Sequence, residues 1–583
     1  MSPTTIPGNL ILQSPTANDP LLDLNTQPSL DLQFATGKTL NDRVSGFPLV
    51  NHQRDASSGK SAGTYVGSDG LIKTSVVNLL PYSENFSAST NWGQYAVTAS
   101  ITNGYQAPFG GLAASKYTPT ASYDYSRIGG VMPSSTSNVE TFSVYVKANG
   151  INFVTLRLDT VSGQTARTFN LLTGEDTVGV YDNNNLSPNT PASSAVYVKD
   201  GWWRISITGT FAQPPNTFIY PCADATTSRT TWNGTDSFYI FGAQLQEGTT
   251  ATDYVPTTNL PSGAPRFDHD PVTGESLGLL IEESRTNVTY PSDFSQYFTY
   301  TNPAAGVPTR NYGTAPDGTV SSCLYEPSVT AVARSTAGAG VAAGTYTVSV
   351  FYKGDRPNGV GGPGTNSALS DIQTFPNGWT RAAATLTFTG GGYLDITLLA
   401  GTSVELWGVQ SEVGSFPTSY IPTTTSAVTR AADVASIEGT NFSSWYNQSE
   451  GTMFSDTKIT FDDASVSQFP AVYMTNGYPN RLWSLLIISG NNIIAIGADA
   501  FSNNFGSGVS SPQTFKVAQA ISNTTSTYSA SKDGGAVIAG SVSAVADQTI
   551  MSIGPETGGT KLIKRLTYYP YRLADATLQE ITS

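Results

Sequence analysis

Between Thr141 and Lys147, the residues Phe142, Val144 and Val146 alternate with Thr141, Ser143, Tyr145 and Lys147. A period of two turns one face of a strand toward a core and the other away from it. The same alternation returns where Trp203, Ile205 and Ile207 oppose Arg204, Ser206 and Thr208, and where Leu386 and Phe388 oppose Thr385, Thr387 and Thr389. Residues 237–241 are continuously bulky, as in a strand covered on both sides. Short strands with turn signals about every ten residues predict antiparallel sandwiches or jelly rolls. One helix is predicted over 574–581, with Asp575 as N-cap and Leu578 and Ile581 turned inward.

The pattern occurs twice. One copy reads Asn78-Leu-Leu-Pro-Tyr-Ser83, Phe142-Ser-Val-Tyr-Val-Lys147, Gly201-Trp-Trp-Arg204, Gly242-Ala-Gln244 and Tyr254-Val-Pro-Thr-Thr258. The other reads Asn287-Val-Thr-Tyr-Pro-Ser292, Val348-Ser-Val-Phe-Tyr-Lys353, Gly378-Trp-Thr-Arg381, Gly408-Val-Gln410 and Tyr420-Ile-Pro-Thr-Thr424. Five blocks in one order mark one fold used twice, with shorter loops in the second copy. The reading divides the chain into an extended N-terminal arm (1–77), a first jelly-roll module (78–258), a linker (259–286), a second module (287–424) and a C-terminal sandwich (425–583). The arm has apolar residues too scattered for a core of its own, although Leu30 to Phe34 could form one strand. Deleting residues 1–60 is therefore expected to leave a folded protein.

Composition narrows the function. Only 12% of residues are charged and the formal net charge is −14, so a duplex is repelled at long range and nucleic acid is not an expected partner. No apolar run approaches the roughly 20 residues of a membrane helix. Met1 to Gln13 lacks the basic and apolar regions of a secretory signal, so synthesis in a host cytoplasm is expected. Two cysteines, Cys222 and Cys323, are too few for a disulfide framework or a cysteine metal site. The two histidines, His52 and His269, have no second ligand at metal spacing, and His269 reads as part of a solvated loop.

Three segments carry a resemblance. Lys532-Asp-Gly-Gly, Ser552-Ile-Gly and Ile563-Lys-Arg-Leu resemble the closing strands of concanavalin-A-like, laminin-G-type sandwiches of bacteriophage proteins. The repeated module is similar to carbohydrate-binding-type jelly rolls of phage fibre and capsid-associated proteins. The linker, Pro265-Arg-Phe-Asp and Gly278-Leu-Leu-Ile-Glu-Glu-Ser-Arg285, looks like a signature of the same virion proteins, although here it follows the first module. The resemblance implies an all-β, non-enzymatic structural protein at the virion surface, a fibre or capsid-attached spike. It implies other virion proteins as partners through the arm, a homo-oligomer (a trimer by fibre precedent) and contact with host polysaccharide. A receptor-binding adhesin and a polysaccharide depolymerase are the rival readings.

Candidate chemistry is sparse. No nucleophile elbow and no phosphate loop is present, and the adjacent acids Asp462-Asp463 and Glu282-Glu283 face opposite sides of any strand that holds them. No catalytic residue, metal ligand or cofactor is assigned. Calcium suits such sandwiches, but Asp317-Gly318 and Asp533-Gly534 read first as turns. Glycan sites use aromatic platforms beside polar groups. The candidates are Tyr123 and Tyr125, with Asp124 and Arg127 near, and the pair Trp445-Tyr446; Trp202, Trp203 and Trp379 are assigned to core and rim.

Overall fold

The computed structural model describes residue 21 and residues 27–583, apart from 88–91, 96–98, 121–126, 131–138, 161–162, 182–184, 188–190, 214, 229–230, 295–297, 336–341, 363–364, 389–392, 462–470, 477–480, 483, 489–491, 498–500, 508–511, 542–546 and 555–558. The chain is built of antiparallel sheets, as the alternation predicts. In the first repeat, Ala192–Lys199, Trp202–Thr210, Val139–Asn149, Ser237–Glu247, Ala114–Pro119 and Ala99–Tyr105 form one sheet in that spatial order. A second six-stranded sheet, with Phe153–Thr160 and Asn216–Cys222 at its middle, stacks on it. Phe142, Val144 and Val146 point into the space between, with Ile205, Ile207, Leu156 and Ile219. The second repeat keeps the plan with five strands in each sheet, Gly344–Gly354 being flanked by Thr380–Phe388 and Val404–Val413.

The third sandwich is assembled from three distant parts of the chain. Its longest sheet centres on Thr560–Tyr569, which pairs along one side with Glu450–Phe461. Its other side pairs with Ser276–Ile281 (Leu279 opposite Ile563) and with Leu30–Leu32 (Leu30 opposite Tyr568). The facing sheet places Asn51–Gln53 beside Val434–Glu438, Ile550–Ile553 and Val472–Thr475. Leu30, Leu32, Phe34, Leu279 and Ile281 share one core with Ile437, Met551, Ile563 and Leu566.

The free arm and the linker of the sequence reading are therefore replaced by strands of this sandwich. The apolar residues of 30–77 look scattered because each serves a different neighbour. Leu30, Leu32 and Phe34 enter the sandwich core, while Val66 and Ile72 pack on Phe351 and Trp407 of the second module. Their hairpin, Thr64–Val66 with Ile72–Thr74, turns at Ser68-Asp69-Gly70.

Both modules are thus excursions from one body. The first leaves and returns through Val77–Asn78 paired with Ser262–Gly263, and the second through Arg285–Asn287 paired with Val428–Arg430. The C-terminal helix spans Asp575–Thr582, with Leu578 and Ile581 buried. Asp575 is its first residue rather than its cap, and it pairs with Arg572 at 3.1 Å. At Asp533 and Gly534 the backbone has φ of 48° and 69°, and the Gly535 N–H closes the turn on the Lys532 carbonyl.

Candidate functional site

The repeated blocks meet at the root of each module and form the same polar latch. Asn78 spends its whole amide there: Nδ2 donates to the carbonyls of Ala243 and Val255, and Oδ1 accepts from the N–H groups of Leu80 and Leu245. Asn287 does the same with Val409, Ile421, Thr289 and Ser411. Gln244 accepts from the Val255 N–H at 2.7 Å, and Gln410 from the Ile421 N–H at 2.6 Å. The Ser83 hydroxyl meets that of Tyr254, and Ser292 that of Tyr420. Arg204 donates to Ser143 over the ring of Tyr145, and Arg381 to Ser349 over Phe351. Gly242 and Gly408 have φ of 59° and 62°; a Cβ would crowd Tyr145 and Tyr254 at 3.1 Å in the first case and strike Phe351 at 2.8 Å in the second. The bulges at Ser143/Tyr145 and Ser349/Phe351 lie opposite these glycines.

Between the two roots lies a cluster of ions with almost no solvent contact. Arg54, Arg266, Arg430 and Asp433 are 0% exposed, and His52 and Glu282 are 1% exposed. Asp433 receives Arg54 Nη1 on Oδ1 and Arg266 Nη2 on Oδ2, both at 2.5 Å, with His52 Nε2 at 3.3 Å. Glu282 Oε2 receives Arg266 at 2.7 Å and lies 3.1 Å from Arg430, while Ser419 closes on both of its oxygens. Arg430 reaches on to Thr418, whose hydroxyl is held by Glu412. Arg54 also donates to the carbonyls of Ala62 and Ala264 and to Ser75, the segments that lead into and out of the first module.

These partners explain the electrostatics. Burial alone would raise the Glu282 carboxyl, but the guanidiniums of Arg430 and Arg266 outweigh it and hold the group at about 2. Burial likewise opposes ionisation of Asp433, yet Arg266 and Arg54 keep it well below the usual carboxylate range. Burial draws Arg54 down to about 10 and pushes His52 below its ordinary value, so His52 serves as a neutral hydrogen-bonding ring at neutral pH. The linker signature, opaque as a motif, supplies Arg266 and Glu282 to this cluster. Glu283, the second residue beyond the strand Ser276–Ile281, pairs instead with Arg285.

The other residues singled out by sequence fall elsewhere. Tyr123 and Tyr125 lie outside the described residues. Trp445 does not stand exposed: it is 5% accessible and packs edge-on against Phe442 and Tyr568, so burial removes the open ring face that a platform needs. Tyr446 is half-buried against the same two rings, 4.7 and 5.3 Å away. His269 is not in a solvated loop; it ends the strand Arg266–His269, buried, with Nδ1 3.0 Å from the Val66 carbonyl. The solvated turn begins one residue later, at Asp270. Trp202 and Trp379 are buried, and Trp203 packs half-buried at the core edge of the first module. Cys222 is buried, which pushes its thiol up to about 12. Among the described residues, no group of three or more His, Cys, Asp or Glu side chains is placed to hold a metal ion, and no helix is long and apolar enough to cross a membrane.

No family model and no curated protein matches the chain. Similar solved structures include the carbohydrate-binding module CBM40 of a Ruminococcus gnavus sialidase bound to α2,3-sialyllactose, at 16% identity over 24% of this chain and 84% of that one, with a TM-score of 0.20. Trypanosoma rangeli sialidase with 2,3-difluorosialic acid matches at 15% identity over 26% of each chain, TM-score 0.21. A structure concerned with botulinum neurotoxin type C and two ganglioside molecules matches at 13% identity over 26% of this chain and 40% of that one, TM-score 0.22. Each is a partial likeness, too distant in geometry to bear on what this chain binds.

Proposed function

We propose that the chain is a non-catalytic display protein of a bacteriophage particle, a fibre or capsid-attached spike that holds two jelly-roll modules toward host polysaccharide. One observation carries the display part of this reading: both modules leave and rejoin a single sandwich beside one buried ion cluster. Five charged side chains from four crossing segments are joined there by short hydrogen bonds. Such a junction fixes the direction of each module, whereas a flexible linker would leave it free. The buried histidines fit this reading, because each is used within the fold rather than at an open cleft. The virion assignment draws on the sequence resemblance.

The test is direct. Antibody raised against residues 287–424 should label the surface of intact, purified particles in electron micrographs. Particles that contain no copy of the chain, by labelling and by peptide mass spectrometry, would overturn the reading.

A further inference from the structure

The two modules are copies, so a feature present in only one of them stands out against the other. On the outer face of the first module, strand register aligns a single row of side chains across the sheet. Thr102 lies opposite Lys116, Lys116 opposite Tyr239, Tyr239 opposite Lys147, Lys147 opposite Trp202, and Trp202 opposite Lys199. Directly opposed residues of antiparallel strands share a face. Three lysines therefore alternate with two aromatic rings along one line. Successive lysines are two strands apart, about 10 Å, a span comparable with two linked pyranose rings.

The lysines and Tyr239 are half-buried, and Trp202 is covered at 3% exposure beneath them. Tyr105 adds a third ring, its centroid 5.2 Å from Tyr239 and 5.2 Å from Lys116 Nζ. Lys199 Nζ lies 4.5 Å from the Phe47 ring. Among the described residues no carboxylate pairs with any of the three lysines.

The second module lacks this row. Leu324 stands where Lys116 does, and Glu405 where Tyr239 does. Lys353, the counterpart of Lys147, is neutralised by Glu405 at 3.4 Å. The hairpin 64–74 also seals the neighbouring aromatic residues of that module, with Val66 and Ile72 against Phe351 and Trp407. Ala107 and Phe109 cover the matching rings of the first module, so the copies differ in charge. One lysine is paired in the second, while the first carries three with no carboxylate partner among the described residues, on a chain of net charge −14.

Resting on the display reading, we propose that this row is the binding face for an acidic polysaccharide. Its carboxylates or sulfates would meet Lys116, Lys147 and Lys199, and a sugar ring would lie against Tyr239. Aromatic rings flanked by cations suit a ligand that is both carbohydrate and anion. A duplex is disfavoured by the overall charge.

The full chain is titrated with polygalacturonate, heparin, neutral dextran and duplex DNA at low ionic strength, and again with added salt. The expected result is binding of polygalacturonate, heparin or both, weakened by salt, with none of dextran. Lys116→Gln with Lys147→Gln should lower the affinity about tenfold or more, Tyr239→Ala should also weaken it, and Lys353→Gln in the second module should leave it unchanged. Thermal melts of each variant confirm that the fold is retained, and Lys199→Gln serves as an independent third position. Failure of both acidic polymers to bind, equal binding of dextran, tighter binding of DNA, or full affinity in the double variant overturns the inference. A chain found on particles that binds neither polymer sinks this inference alone, whereas absence from particles sinks the display reading.

Discussion

Asp433 does more at the junction than any other side chain. It takes two guanidiniums, lies against His52 and accepts the Glu282 N–H at 3.0 Å, while its own N–H donates to the Glu282 carbonyl. Removing one charge from a buried pair leaves its partners uncompensated, which typically costs about 3–5 kcal/mol. Asp433→Asn should therefore lower the urea midpoint of the full chain strongly, and an unchanged midpoint would contradict the role given to the cluster. Acid should act the same way. Glu282 and Asp433 have folded values below those of an unfolded chain, so their stabilisation is complete above the ordinary carboxylate pKa, about 4, and is lost as pH falls toward about 2. His52, held neutral by burial, adds a penalty below its ordinary 6.5, because the unfolded state takes up the proton more readily. Burial raises Asp268 to about 7, so its protonation favours the folded state and opposes the His52 penalty between about pH 7 and 4. Stability measured from pH 7 to pH 2 should therefore fall steeply only below about 4. Among the tryptophans, Trp379 is 2% exposed and donates to the Thr314 carbonyl at 3.0 Å, so Trp379→Ala should cost about 3–5 kcal/mol. Trp203→Ala should cost less, since the ring is only half-buried at the core edge.

At the scale of elements, the repeat was legible because its blocks are under identical demands. An asparagine that makes four hydrogen bonds, a glycine with positive φ and a tyrosine bonded to a serine leave few substitutes, so the same residue types recur at matching places. Of the strands in residues 30–53, the one at Leu30–Leu32 was legible but its place in a sandwich was not, and Asn51–Gln53 was not legible at all. Each is three residues long, too short to show a period, and Asp31 finds its partner Thr567 at a separation of 536 residues. The ion cluster was hidden for the same reason: Arg54, Arg266, Glu282, Arg430 and Asp433 look like isolated surface charges until the fold gathers them. The stalks yield a prediction. Val77 lies opposite Gly263, so replacing residues 79–261 by a two-residue Asn-Gly turn should close a hairpin and leave the sandwich folded. Circular dichroism with a single unfolding transition is the expected result. Loss of the folded sandwich would show that the first module is part of its core.

At the scale of the molecule, the chain is one sandwich carrying two excursions rather than domains in file. Residues 30–53 belong to that sandwich, so deleting residues 1–60 should unfold it and not merely release an anchor. Leu30, Leu32 and Phe34 are 0% exposed, and Asp31 holds Arg565 through two bonds of 2.7 and 2.9 Å. The most direct test of this account is amide hydrogen exchange on the full chain, followed peptide by peptide. The amides of 30–32 and 51–53 should be protected to the same degree as those of 560–569, and Asp433→Asn should lower all three together. Rapid exchange in 30–32 and 51–53, beside a protected 560–569, would contradict it.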